Sequence, residues 1–341
     1  MLAKASFTAR AATVTGLLGV LCAWALAAAQ TPAPATFKLR YAHNHATTTP
    51  QHKAIEVFGK LVEERSKGAI QVAIFPASQL GGNREQTEAV GLGTVDFTQQ
   101  PTSVAAIYAP PMIALDLPYL FASEDAALKA LNGPVGSDLL KTLERKGIRG
   151  MGFWPTGFSE IFTSTKAIRS PEDLKGMKMR VLPSPLLIAT FKAWGASPTT
   201  IDYKEVYTAL QQKVVDGWDS PLIVVPQLKI WEVQKYVTLV QYRLFSYVTM
   251  VSKQTFDTLP AALQQVVLQA DRDAQVEYLK LFHAQDADAA KMAQEKGMTV
   301  ISLTAEQKEA FKKAAESVYE QFAEQIGRDL LRRFREAGRA G

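Results

Sequence analysis

Arg180 is the residue whose sequence surroundings most favour chemistry. It lies in the stretch 170–187, SPEDLKGMKMRVLPSPLL. Ser170 suits a helix cap, with Pro171 at the first helical position and Asp173 closing a capping box. Gly176 ends that turn, and Met177 to Val181 alternates as a strand. Ser184-Pro185 starts a second helix that runs toward Trp194 and stops at Gly195. This spacing puts a guanidinium near the C-terminal end of a strand, a few residues before a helix N-terminus. Ligands of α/β sheets bind at that edge. A rigid planar cation backed by a positive helix end suits a carboxylate, held by two parallel hydrogen bonds. The blander alternative is a surface arginine paired with Asp or Glu.

A second candidate stretch is VVDGWDSP at 214–221, a short strand whose exit carries Trp218, Asp219 and Ser220. Trp218 offers a flat apolar wall, to which Trp154, Phe158 and Trp194 add weaker candidates, since aromatic residues are more often core than pocket. Asp219 reads either as an acceptor for a ligand hydroxyl or as a structural carboxylate at a strand end. His43, Asn44, Gln79, Gln99 and Gln100 fall at exits of the early strands, where they could close over the far end of a ligand. His43, His45 and His52 have no metal-like spacing with a carboxylate. No nucleophile is paired with a base, and G-x-S-x-G, H-E-x-x-H, P-loop and G-x-G-x-x-G motifs are all missing. These absences count against an enzyme, and no cofactor and no metal are expected.

The elements that must hold these residues alternate strand and helix. Strands are expected at 37–42, 70–75 and 95–98, separated by helices over 50–66 and 84–90, which is the start of a parallel, doubly wound lobe. Strand 148–153 leads through Pro155 and Gly157 into 160–164, a crossing to a second lobe. That lobe holds the Arg180 stretch, a strand at 199–201, a helix over 203–213 and the Trp218 strand. Segments 237–241 and 247–251 read as the return crossing. From Pro260 to Lys296 no glycine or proline interrupts a helical pattern. One helix of that length would run roughly 55 Å, longer than the ~40 Å of a single lobe, so it must span both lobes or pair with a second chain. A late strand covers 298–303, and a final helix is interrupted at Gly327.

The chain has 341 residues and a formal net charge of +5, which falls to +3 once Lys4 and Arg10 of an expected leader are removed. That is too mild to argue for nucleic acid. Residues 1–29 read as a signal peptide, with an apolar core from Val14 to Leu26 and small residues at 27–29. The core is shorter than the ~20 residues needed to span a bilayer, so export to the periplasm without stable membrane insertion is expected. The one cysteine, Cys22, falls in this segment and lacks a small residue before it, which argues against lipidation.

Five stretches in order carry a family likeness: FPASQLGGNREQTEAVGLGTVDF at 75–97, LDLPYLF at 115–121, SPEDLKGMKMRV at 170–181, EVYTALQQKVVDGWDSP at 205–221 and WEVQKYVTL at 231–239. Over about Leu39 to about Gly297 the chain resembles the DctP-type solute-binding proteins of TRAP (tripartite ATP-independent periplasmic) transporters. The resemblance implies an α/β, two-lobed, periplasmic-binding-protein-like fold with a long helix spanning both lobes. It implies Arg180 as anchor for an organic-acid ligand, and a TRAP membrane permease, driven by an ion gradient, as partner. The lobes are expected at 36–156 with 244–280, and at 157–243 with 281–341. Relatives often carry a second arginine where Ser159 stands and an asparagine where Ser220 stands. Ser220 offers a single hydroxyl in the amide's place. With the second cation absent, one carboxylate on an otherwise less charged body is the expectation, a hydrophobic or aromatic portion being one option. The expected contacts are Arg180, Trp218, Asp219 and Ser220, with Ser159, Trp154, Gln100 and His43 around them. The rivals are a receptor for an ATP-driven importer or sensor kinase, and an exported two-lobe enzyme.

Overall fold

The computed structural model describes residues 37–339; the expected signal peptide and Cys22 lie outside them. The chain builds two sheets. In the first, β1 (Phe37–Ala42) pairs in parallel with β2 (Ile70–Phe75) and β3 (Phe97–Pro101). Antiparallel β10 (Leu244–Ser252) and β4 (Ile148–Phe158) complete the order β2-β1-β3-β10-β4. The second sheet contains β5 (Glu160–Thr163), β6 (Lys178–Val181), β7 (Ser197–Thr200), β8 (Gly217–Ser220), β9 (Tyr236–Leu239) and β11 (Thr299–Ser302). Its order is β11-β9-β5-β8-β6-β7. These are the two lobes of an α/β fold.

The helix starts follow the sequence chemistry. Thr49 caps the Pro50–Arg65 helix through His52 N–H, and Pro50 sits where its missing N–H costs nothing. Ser170 and Asp173 form the capping box in front of β6, and Ser184 caps the Pro185–Ala193 helix after it. Arg180 is thereby fixed between two capped starts.

Two strands cross between the lobes side by side. Ser159 N–H donates to Arg243 C=O at 2.8 Å, and Tyr242 N–H to Ser159 C=O at 3.4 Å. These pairs join the exit of β4 to the entry of β10 and mark the hinge.

The long helix runs from Ala261 to Asp286, and its buried stripe is Val267, Ala270, Ala274, Tyr278 and Phe282. It packs on the Pro50–Arg65 helix and on β4 of the first lobe. Its last turns reach the second lobe, where Phe282 shares a core cluster with Ile223. The expected unbroken helix to 296 is corrected: the chain turns at 287–288 and resumes as a separate helix, Ala289–Glu295. Asp288 stands at the N-terminus of that second helix, where the helix dipole favours a negative charge. The second piece packs against β11 and the Val224–Leu228 helix of the second lobe. The spine therefore reaches both lobes in two segments.

The chain crosses once more near its end. Phe311 and Ala315 pack with Trp194 and Val181 of the second lobe. Val318, Phe322, Leu331 and Phe334 pack with Leu139 and Phe153 of the first. The Arg328–Arg339 helix lies on the helices Glu124–Leu131 and Pro134–Lys141. The expected lobe division had placed all of 281–341 with the second lobe. No described helix is long and apolar enough to cross a membrane.

Candidate functional site

A cavity of about 30 Å³ lies between the lobes. The first lobe contributes His45, Gln51 and Gln99, and the crossing strands contribute Thr156 and Tyr247. From the second lobe come Arg180, Trp218, Asp219, Ser220 and Gln227.

Arg180 sits in β6, its backbone in register with Trp218 of β8 and Thr199 of β7. Its side chain is 2 % exposed. Nε donates to Ile201 C=O at 2.9 Å, while the buried Nη2 has no partner. Among the described residues no carboxylate lies within ion-pair distance of it. Burial lowers its pKa to about 10, with Asp219 and Tyr203 acting in the opposite sense, so it is charged at neutral pH. Trp218 lies beneath the guanidinium at 5.9 Å, and its own Nε1 has no partner. A buried, uncompensated cation costs several kcal/mol. An incoming carboxylate offsets that cost and supplies acceptors for both orphan N–H groups.

Asp219 lines the cavity and is also held from behind. Arg243 Nη2 reaches Asp219 Oδ2 at 2.8 Å, and Tyr242 Oη donates to the same oxygen at 2.8 Å. Arg243 Nη1 meets Asp116 Oδ1 at 3.2 Å, and that oxygen accepts from Ser103 Oγ at 2.6 Å. Asp116 and Ser103 belong to the first lobe and Asp219 to the second, so this buried network ties the lobes together at the hinge. Burial raises the Asp116 pKa, and Arg243 opposes that rise. Sequence reading missed Arg243. The only signal for it was a charged residue inside the return crossing.

The structure brings Arg180, Trp218, Asp219 and Ser220 together at the cavity. The other four expected contacts lie outside its lining. Ser159 is fully buried in the crossing, its backbone engaged with Arg243. Trp154 stacks on Tyr278 at 5.1 Å in the first-lobe core. Gln100 Nε2 donates to Gln86 Oε1 and Thr98 Oγ1. His43 lies behind His45, its Nδ1 accepting from His45 N–H and its Nε2 facing His52 Nδ1 at 3.1 Å.

For Gln100 the cause is parity. Side chains alternate along a strand, so Gln99 of β3 faces the cavity while Gln100 faces away from it. His43 and His45 lie two residues apart in the loop after β1, where alternation does not separate them, and it is Asn44 and His45 that reach the cavity. His45 stands edge-on to Tyr247, and its Nε2 meets Gln99 Oε1 at 2.9 Å. Burial lowers the His45 pKa to about 4 and, with help from His45 and His52, that of His43 to about 2. Both rings are neutral at pH 7. Arg180 is thus the one cation among the described residues that line the cavity.

Residues 41–325 match the family described as bacterial extracellular solute-binding protein, family 7, DctP. The chain belongs to the DctP family. Its members and structural neighbours are binding proteins, not enzymes. This DctP-family chain is 36 % identical over 313 residues to a solute-binding protein of Verminephrobacter eiseniae, covering 92 % of this chain and 91 % of that one. It is 35 % identical to the 2,3-diketo-L-gulonate-binding periplasmic protein of Escherichia coli, over 73 % of this chain and 76 % of the relative. Among solved structures it resembles a TRAP periplasmic solute-binding protein of Sulfurospirillum deleyianum with bound succinate. The TM-score there is 0.83 at 35 % identity, covering 89 % of this chain and 99 % of the other. The fold and the family expected from the five stretches are those observed.

Proposed function

We propose that this protein is the periplasmic receptor of a TRAP transporter, and that it takes up a small organic monocarboxylate between its lobes and delivers it to a membrane permease. Arg180 carries the reading: a buried guanidinium with one nitrogen unpaired, on a strand end, facing a cavity between two lobes. Its fork takes one carboxylate, Ser220 adds a hydroxyl beside it, and Trp218 walls one side. The apolar side chains Ile223, Val224 and Phe245 suit a short carbon skeleton or a small ring. A dicarboxylate would leave its second charge without a cation in the lining. Relatives named for 2,3-diketo-L-gulonate and solved with succinate support an organic acid as the ligand class.

Closure rests on the ligand's differential affinity for the closed form. The open form keeps Arg180 hydrated, and closing replaces that water with ligand oxygens. The hinge lies at 157–160 and 240–243, where the crossings are hydrogen-bonded to each other. Calorimetry with short monocarboxylates and dicarboxylates tests the reading. Monocarboxylates are expected to bind and Arg180→Met to weaken them by about 100-fold or more, since truncating one partner of a buried charge pair costs about 2–5 kcal/mol. Unchanged affinity in that variant would remove Arg180 from the site.

A further inference from the structure

We propose that the first lobe carries a hydroxyl subsite, formed by Gln51 and Gln99, and that the ligand is therefore a hydroxylated monocarboxylate. The inference rests on the reading above, in which Arg180 takes the carboxylate. Gln51 and Gln99 are 2 % and 1 % exposed, and both line the cavity. Gln99 Oε1 is engaged by His45 Nε2 at 2.9 Å, and its Nε2 has no partner. Gln51 Oε1 has none either. The first lobe thus presents one orphan amide donor and one orphan amide acceptor to the cavity. Buried polar groups left in that state are costly, and few survive in a folded protein without a function.

Most of the second lobe's orphans are donors. Arg180 Nη2, Trp218 Nε1 and Gln227 Nε2 lack partners, and Asp219 Oδ1 is the one acceptor there that also lacks one. A carboxylate, an acceptor only, satisfies the three donors. It cannot satisfy Gln51 Oε1, which needs a donor. A second carboxylate in the first lobe would face that acceptor with no cation nearby, because His45 is neutral there. An apolar group would leave both amides unpaired, and a keto oxygen would pair only Gln99. A hydroxyl accepts from Gln99 Nε2 and donates to Gln51 Oε1. The carboxylate is then held by one lobe and the hydroxyl by the other, so a single ligand bridges the closed form.

The test uses titration calorimetry on the purified protein with butanoate, its hydroxylated derivatives at each carbon, and succinate. At least one hydroxylated acid is expected to bind about tenfold or more tightly than butanoate and than succinate, as a satisfied buried pair implies. Gln51→Met and Gln99→Met, which keep side-chain length, should each bring the ratio of hydroxylated acid to butanoate toward one. Gln99→Glu replaces the donor with a charge and should reject the hydroxylated acid outright, which covers the case of a misfolded Met variant. A ratio unchanged in the folded variants overturns the subsite while leaving Arg180 as anchor. So does a wild type that prefers butanoate or succinate. If Arg180→Met binds every acid as the wild type does, the underlying reading fails instead.

Discussion

Arg180 and Arg243 are both 2 % exposed, yet only Arg243 is met by carboxylates of the protein itself. Arg243 sits between Asp116 and Asp219, so its removal would leave two buried carboxylates without a counter-ion. Arg243→Met is expected to destabilise the fold by about 3–5 kcal/mol, the usual cost of breaking a buried pair from one side. Asp219→Asn should cost less, because Arg243 keeps Asp116 and the Asn side-chain oxygen still accepts from it. Denaturant melts of the two variants check that order, and equal losses would mean that Asp219 alone carries the network. Arg180 was legible in the sequence because helix caps on both sides fixed its place on a strand end. Arg243 was not, since its partners come from positions 116 and 219 and no local pattern joins them. Gln99 was within reach of an alternation argument, but one residue of register separates it from Gln100; His43 and His45 lie two apart in a loop, where alternation gives no guide.

At the level of elements, β8 depends on how closely it lies against β5. A Cβ on Gly217 would stand 2.2 Å from Phe162 C=O, an approach only glycine permits. Gly217→Ala is expected to destabilise the protein by about 1–3 kcal/mol as an overpacked site. It should also weaken ligand binding, because Trp218, Asp219 and Ser220 follow directly on the same strand. A melting curve and a titration on one sample test both. Loss of stability with full affinity would show that the strand's exit is positioned independently of its start. Most strands were readable from alternation and turn residues, among them β1, β2 and the pair β4 and β5. The long helix was readable from its three-four spacing up to Asp286. Its break was not, for no glycine or proline marks 287–288, and the β11 and Val224–Leu228 partners of the following piece are distant in sequence. The return of the C-terminal helices to the first lobe was hidden for a like reason. Apolar residues such as Val318, Phe322 and Phe334 declare a buried face but not which lobe buries it.

For the molecule as a whole, buried titratable groups set how stability depends on pH. Burial raises Glu160 at the hinge to about 8, Asp271 in the long helix to about 7 and Asp286 at its end to about 6. Each is protonated in the folded state over a range where the unfolded chain is ionised. Stability from these groups is therefore full below about pH 4 and declines as pH rises toward 8. The two histidines act the other way. His43 and His45 fall to about 2 and about 4 when buried, so the unfolded state binds more protons below about 6.5 and stability is lost as pH falls through that window. Between about 4.5 and 6.5 the two histidines offset two of the three carboxyls, so stability still declines with a slope of about one proton. Above 6.5 the histidines are neutral in both states and only the carboxyls remain. The melting temperature is expected to decline from about pH 4.5 to 6.5 and to go on dropping from about pH 6.5 to 8. Glu160→Gln should remove much of that drop, for its amide oxygen can still accept the Gln241 N–H that Glu160 holds at 2.9 Å. A melting temperature that climbs from pH 6.5 to 8 would mean that Glu160 is ionised in the fold, and that Lys308, the cation that opposes its rise, outweighs burial at the hinge.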